Sequence, residues 1–309
     1  MKLSIVTTVY KSSDYIEEFY IRISKEVQKI TQDYEIIFVD DGSPDDSLNK
    51  VLKFFEKDSR IKILELSKNF GHHKAIMTGL SFAKGTFIFL IDSDLEEPPE
   101  LLGQFWKEFH NQKNLDVLYG VQDIRRGRLF ERFSGYMFYK IFNIISNCEI
   151  PKNLITTRLT TQAYNQALIS HKERDVFLAG LWVTSGFNQR ALSVKKLSYS
   201  KSSYKINTRL SLALTAIVSF STFPLQLIFI IGTMITTLSF FYITFIIYKN
   251  IFLNITVSGW SSLIVSIWFL GGFIIFSLGI IGVYISKIYN ETKQRPITII
   301  KEKYEKYSS

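Results

Sequence analysis

Between Leu210 and Ser286 the chain carries a single charge, Lys249, and no other feature restricts its fold as strongly. Pro224 to Tyr248 and Trp260 to Ser286 are free of charge altogether. Each is longer than the ~20 residues a helix needs to cross a hydrocarbon core. Buried helices of a soluble core are the alternative, but two runs this long and this close are read as transmembrane helices, over 223–248 and 260–286. Upstream, Leu210, Ala213, Leu214, Ile217 and Val218 share one face, so 205–222 reads as an amphipathic helix in the interface before Pro224. Lys195, Lys196, Lys201, Lys205 and Arg209 precede the first span, and Lys287, Lys293 and Arg295 follow the second, whereas the link offers only Lys249. Both termini are therefore expected in the cytoplasm, with a cytoplasmic tail over 287–309. The mixed Lys and Glu of that tail reads as solvated or lipid-facing.

Much of the net charge of +9 lies beside these spans, where anionic lipid headgroups are a better match than nucleic acid. A membrane lipid partner is expected, and no nucleic acid. The single cysteine, Cys148, excludes an intrachain disulfide framework and reads as a small buried hydrophobe. Met1-Lys2-Leu3-Ser4-Ile5-Val6 runs straight into a strand, without a signal peptide's apolar segment and cleavage site. The leading domain, 1–204, is thus expected to stay cytoplasmic on a multi-pass protein of the inner (cytoplasmic) membrane. Two helices per chain form no channel unaided, and the sequence leaves a homo-oligomer open.

Strand-like runs alternate with helical ones through that domain. Leu3 to Val9, Tyr34 to Val39, Ile61 to Leu66, Phe87 to Ile91 and Val117 to Val121 favour β structure. Between them, Asp14 is the expected N-cap of a helix carrying Tyr15, Ile16, Phe19, Ile23, Val27 and Ile30. Further helices are expected over Ala75 to Ala83 and Pro99 to His110. This is a βαβ pattern, so the fold class is α/β with a mainly parallel sheet. Two of the strands end in acids: Val39 runs into Asp40-Asp41-Gly42-Ser43, and Ile91 into Asp92-Ser93-Asp94-Leu95-Glu96-Glu97-Pro98-Pro99-Glu100. Open α/β sheets bind ligands at such strand ends. Hard oxygen ligands there suit Mg²⁺ or Mn²⁺ bridging to a diphosphate.

These stretches, with Tyr10 at the first strand's end and Leu66-Ser67-Lys68-Asn69-Phe70-Gly71-His72, stand in an order that resembles the family 2 glycosyltransferases. The match is to their polyprenyl-phosphate branch, which includes bactoprenol glucosyltransferases and dolichol-phosphate mannose synthases. It spans nearly the whole chain, with two membrane helices after the domain. The resemblance implies a GT-A nucleotide-sugar-binding domain with a divalent metal at Asp92 and Asp94, and Glu96 where the family has a glutamine that also meets the metal. It places Tyr10, Asp40 and Asp41 on the base and ribose, and Asp92 also on the diphosphate. His72 and His73 read as helix-start or pocket-wall residues. The implied partners are a nucleotide sugar, taken to be a UDP-sugar, and a polyprenyl phosphate, with inversion at the anomeric carbon.

Arg125, Arg126, Arg128 and Arg132 lie within eight residues. This is either a solvated helix face or a phosphate clamp, since guanidinium forks match phosphate oxygens. The clamp is the favoured reading, through Arg125, Arg128 and Arg132, with Asp94, Arg128 and Arg132 as the catalytic set. Aromatic residues from Phe130 to Phe142 either approach the membrane or fill the core. Arg158 matches the arginine of the family's Asp-Phe-Arg-Leu, here Thr156-Thr157-Arg158-Leu159. Trp182 stands where the family closes its sugar pocket, on a sugar face or in the core, and Lys205 faces either a phosphate or the lipid surface. The chain departs from the family in lacking that Asp, in Lys11-Ser12-Ser13 after Tyr10, and in Glu96-Glu97 for Gln-Asp. Transfer to a hydroxyl of a lipid-linked oligosaccharide would need a carboxylate base near the acceptor. A non-catalytic membrane scaffold would not need the metal acids.

Overall fold

The computed structural model describes residues 2–122, 137, 140, 142–146, 149–174, 176–195, 217–253 and 259–306. The chain divides into two compact units, one of residues 1–143, 148–212 and 295–309, the other of 144–147 and 213–294.

The first unit is built on an eight-stranded sheet in the order β7-β5-β6-β4-β1-β2-β3-β8. Its strands are β1 (Leu3–Val9), β2 (Tyr34–Asp40), β3 (Ile61–Leu66), β4 (Phe87–Leu90), β5 (Val117–Gln122), β6 (Leu154–Thr161), β7 (Gln189–Val194) and β8 (Ile300–Tyr304). The helices are α1 (Ile16–Ile30), α2 (Ser47–Lys57), α3 (His72–Phe82), α4 (Leu101–His110), α5 (Gln162–Ser170) and α6 (Leu178–Thr184). β1 pairs in parallel with both β2 and β4, and β2 with β3. β6 enters antiparallel between β4 and β5, β7 lies parallel to β5, and β8 closes the far edge antiparallel to β3.

Every residue of β1 and β2 is buried. That is why apolar residues stand on both faces, as in Ile5-Val6 and Ile36-Ile37-Phe38-Val39, instead of alternating strictly. α1 covers one face with Ile16, Phe19, Ile23 and Val27, at helical spacing and fully buried. Its N-cap is Tyr15, without a side-chain cap bond, rather than the expected Asp14. α3 packs so near the sheet that a Cβ on Gly79 would meet Val6 Cγ1 at 2.6 Å and Val39 Cγ2 at 2.8 Å. The chain grows from β1 to β2 and β3, then returns to lay β4 on the other side of β1. Strand order therefore reverses between β1 and β4, and in open sheets that switch point is where ligands bind.

β8 departs from the expected tail. Ile300–Tyr304 pairs with β3, where Lys301 and Tyr304 both reach Glu65. Phe142, one of the aromatic run, is fully buried against Phe177, with ring centroids 5.8 Å apart.

The second unit holds α7 (Phe223–Leu253) and α8 (Trp260–Thr292). Phe223–Tyr242 and Ser266–Thr292 are long and apolar enough to cross a membrane, and neither is buried by protein. Thr233, Thr236 and Thr237 each donate a hydroxyl to the carbonyl four residues back at 2.8 Å. Their polar groups are thereby satisfied inside the helix, as a lipid surrounding requires. Of the interfacial segment 205–222, residues 205–216 lie outside the described residues, and 217–220 are helical.

Candidate functional site

The site forms around the carboxyl ends of β1, β2 and β4. Ser93, between the two aspartates, is buried and donates its hydroxyl to Thr8 O at 2.8 Å and to Ser12 Oγ at 3.2 Å. The Asp92–Ser93–Asp94 loop is thus pinned to the end of β1. From β2, Asp41 N donates to Val9 O at 3.0 Å and Ser43 Oγ donates to the same carbonyl at 3.3 Å. Three strand ends are drawn together by a few short side chains.

Asp40 and Asp41 are both buried, and burial raises both carboxyls above the usual range. Asp40 accepts Ser43 N at 3.3 Å. Asp41 accepts Phe70 N at 2.7 Å and Gly71 N at 3.0 Å, one on each oxygen. These bonds favour the ionised form and work against desolvation. Gly42 turns this corner at φ +64°, and a Cβ there would lie 2.6 Å from the Lys68 carbonyl carbon. The corner and segment 67–71 therefore touch backbone to backbone, which only glycine permits.

Tyr10 follows β1 and is 43% exposed, with Lys11 Nζ 5.5 Å from its ring centroid. Lys11 beside it (φ 55°) and Leu95 between Asp94 and Glu96 (φ 59°) are both left-handed without being glycine. Such strain persists where the surroundings enforce it, and here it occurs just past the ends of both β1 and β4. Asp94 is exposed and accepts Glu96 N at 3.0 Å, while Asp92 and Glu96 are partly buried.

His72, the first residue of α3, bridges two of these ends. Its Nδ1 lies 3.1 Å from Thr8 Oγ1, and its Nε2 lies 3.5 Å from Asp92 Oδ1. Burial pushes its pKa down, against the pull of Asp94 and Asp41, and favours the neutral imidazole. The next residue, His73, has its Nδ1 3.1 Å from Val176 O, and burial pushes its pKa down to about 4. A sequence signal for this wall existed in the run Asn69-Phe70-Gly71-His72.

Arg158 and Trp182 are placed in the interior rather than on an open surface. Arg158, on β6 between Leu90 and Tyr119, is 2% exposed, and its guanidinium lies 3.0 Å from the centroid of the Trp182 ring. It donates to Thr156 O at 3.1 Å and Ile155 O at 3.3 Å, and is hydrogen-bonded to Tyr164. Desolvation lowers its pKa to about 9, which still leaves it charged at neutral pH. Trp182 is 7% exposed. Arg125, Arg128, Arg132 and Lys205 lie outside the described residues.

The donor set at the end of β4 consists of carboxylate oxygens. Among the described residues no three His, Cys, Asp or Glu side chains form a ready-made metal group. Mg²⁺ and Mn²⁺ do not require one, because a site with one or two carboxylates is completed by water and substrate phosphates. Asp92 and Asp94 fit an ion of that kind.

An open sheet with acids gathered at its switch point defines a class of α/β proteins that bind ligands beyond their strand ends. Within that class the chain belongs to glycosyl transferase family 2, whose family model matches residues 4–172. Its fold is the GT-A-like α/β fold, and it is a glycosyltransferase. It is 42% identical to a protein of Mycobacterium tuberculosis named among putative glycosyltransferases, over 98% of this chain and 89% of that one. The prophage bactoprenol glucosyl transferase homolog of Escherichia coli is 32% identical, over 97% and 99%. The bactoprenol glucosyl transferase of Shigella phage SfV is 31% identical, over 99% and 100%.

Proposed function

We propose that the protein transfers one sugar from a UDP-sugar to a polyprenyl phosphate such as undecaprenyl phosphate, at the cytoplasmic face of the inner membrane and with inversion, for cell-envelope polysaccharide modification. The observation that carries this reading is the Asp92–Ser93–Asp94 loop pinned at the sheet's switch point. Relatives named bactoprenol glucosyl transferases, alike along the whole chain, support the acceptor.

Asp92 and Asp94, with Glu96 beside them, would hold Mg²⁺ or Mn²⁺. Bound there, the ion would offset the charge of the diphosphate and so improve the leaving group. The exposed Tyr10 ring takes the base. Asp40 and Asp41, which accept backbone N–H groups of the corner and of segment 67–71, shape the ribose wall. His72 leans on Asp92 and limits its orientation.

A phosphate monoester is already largely ionised at neutral pH, its second pKa being near ~6. It needs no general base, which suits a chain with Thr156-Thr157 where the family has Asp-Phe. It does need its charge shielded from the donor. We assign that task to Arg125, Arg128 and Arg132, and place Lys205 at the lipid surface. Arg158 and Trp182 back the sugar pocket from beneath.

The membrane reading has support in the chain's path. Residues before 213 and after 294 belong to one unit, so the segment between them must cross an even number of times to return. Two spans meet that condition, and the positive charge of the flanking lysines and arginines supports a cytoplasmic position for the unit.

Asp94→Asn tests the metal assignment. The variant is expected to insert and fold as the wild type does, and to lose transfer by about a hundredfold or more. Full activity in D94N would remove Asp94 from the catalytic set.

A further inference from the structure

Two of the departures from the family pattern meet in the structure. Glu97, just past the metal acids, and Thr157, on β6, are sixty residues apart, and their side chains are sealed from solvent at 1% and 0% exposure. Glu97 Oε2 accepts the Thr157 backbone N–H at 3.2 Å and also the Thr157 hydroxyl. A buried carboxylate is costly unless it is hydrogen-bonded. Here one residue supplies two of its bonds.

The position of this pair gives it a use. The Asp92–Glu97 loop is tied near its start by Ser93 to Thr8 and Ser12, and at its end by Glu97 to Thr157. Between the anchors stand the exposed Asp94, the left-handed Leu95 and the partly buried Glu96. A strained turn held at both ends has little freedom to relax. If the rear anchor is released, Asp94 and Glu96 become free to drift.

We propose that Thr157 and Glu97 act as a positioning pair that holds the Asp94 loop in the geometry a divalent cation and diphosphate require. Thr157 then acts through its hydroxyl, which meets Glu97. This rests on the reading of Asp92 and Asp94 as the cation and diphosphate site. Neither Thr157 nor Glu97 touches the substrate in this account.

The test is isothermal titration of the full chain in detergent with Mn²⁺ in the presence of UDP and without acceptor, which reads binding rather than turnover. Thr157→Val keeps the shape and removes the hydroxyl. It is expected to weaken Mn²⁺ binding about tenfold, the worth of one hydrogen bond to a charged group. Thr157→Ser, which restores the hydroxyl without the methyl, is expected to recover wild-type affinity. Wild-type affinity in folded T157V would overturn the proposal, as would T157S being as weak as T157V, which would assign the effect to packing. A wild-type chain that binds no Mn²⁺ with UDP would instead overturn the reading of the site, and this proposal with it.

Discussion

His72 and His73 stand side by side where α3 begins, and burial lowers the pKa of both. Their surroundings separate their tasks. His72 spans Thr8 and Asp92 and so belongs to the crevice, whereas His73 turns to the Val176 carbonyl and belongs to the scaffold. His73 carries a sign that can be tested. Its folded pKa of about 4 lies below the ordinary value of 6.5. Between those values the unfolded chain takes up a proton that the folded one refuses, so stability is lost as pH falls through that window. The thermal midpoint in detergent is expected to fall between pH 6.5 and pH 4, and to fall less steeply in His73→Asn. Equal slopes in the two proteins would place the acid sensitivity elsewhere.

Among the elements, β8 does more than close an edge. Just before it, Ile299 O accepts Ser67 N at 2.9 Å, and Thr298 Oγ1 meets Thr78 Oγ1 on α3 at 2.7 Å. Ser67 opens the segment whose Phe70 and Gly71 N–H groups hold Asp41. The strand that follows the apolar helices thus braces the segment that holds Asp41. A chain stopped after Lys293 is expected to insert normally, to unfold at a lower temperature, and to bind UDP about fivefold more weakly, the equivalent of a hydrogen bond of ~1 kcal/mol. Unchanged unfolding and UDP affinity would show that the brace is dispensable.

β8 also shows where sequence reading stops. β1 to β5 were legible because each carries a dense share of β-branched and other apolar residues, and acids following such runs stand out. Ile300-Lys301-Glu302-Lys303-Tyr304 is an edge strand held to Glu65 by the Lys301 ion pair and the Tyr304 hydroxyl, so its composition is that of a solvated tail. β6 hides for another reason: Leu154-Ile155-Thr156-Thr157-Arg158-Leu159-Thr160-Thr161 looks polar, yet Thr157 and Arg158 are buried against partners from distant segments. The acids of the site could be found in the sequence, but the Glu97–Thr157 tie could not, because it exists only once β6 lies beside β4.

At the scale of the whole molecule, one unit gathers Asp40, Asp41, Asp92 and Asp94 at its strand ends, and the other carries apolar helices with Phe229, Trp268 and Ile275 more than 70% exposed. Contiguous apolar surface of that extent is stable in lipid, not in water. Exposed apolar helices of this length fit membrane association of the glycosyltransferase. The most direct test is transfer in detergent from a panel of radiolabelled nucleotide sugars to undecaprenyl phosphate, with and without added Mg²⁺ or Mn²⁺. A labelled lipid phosphate is expected from a UDP-sugar, and it should disappear when the metal is withheld. A donor that binds but labels no lipid phosphate would contradict that expectation.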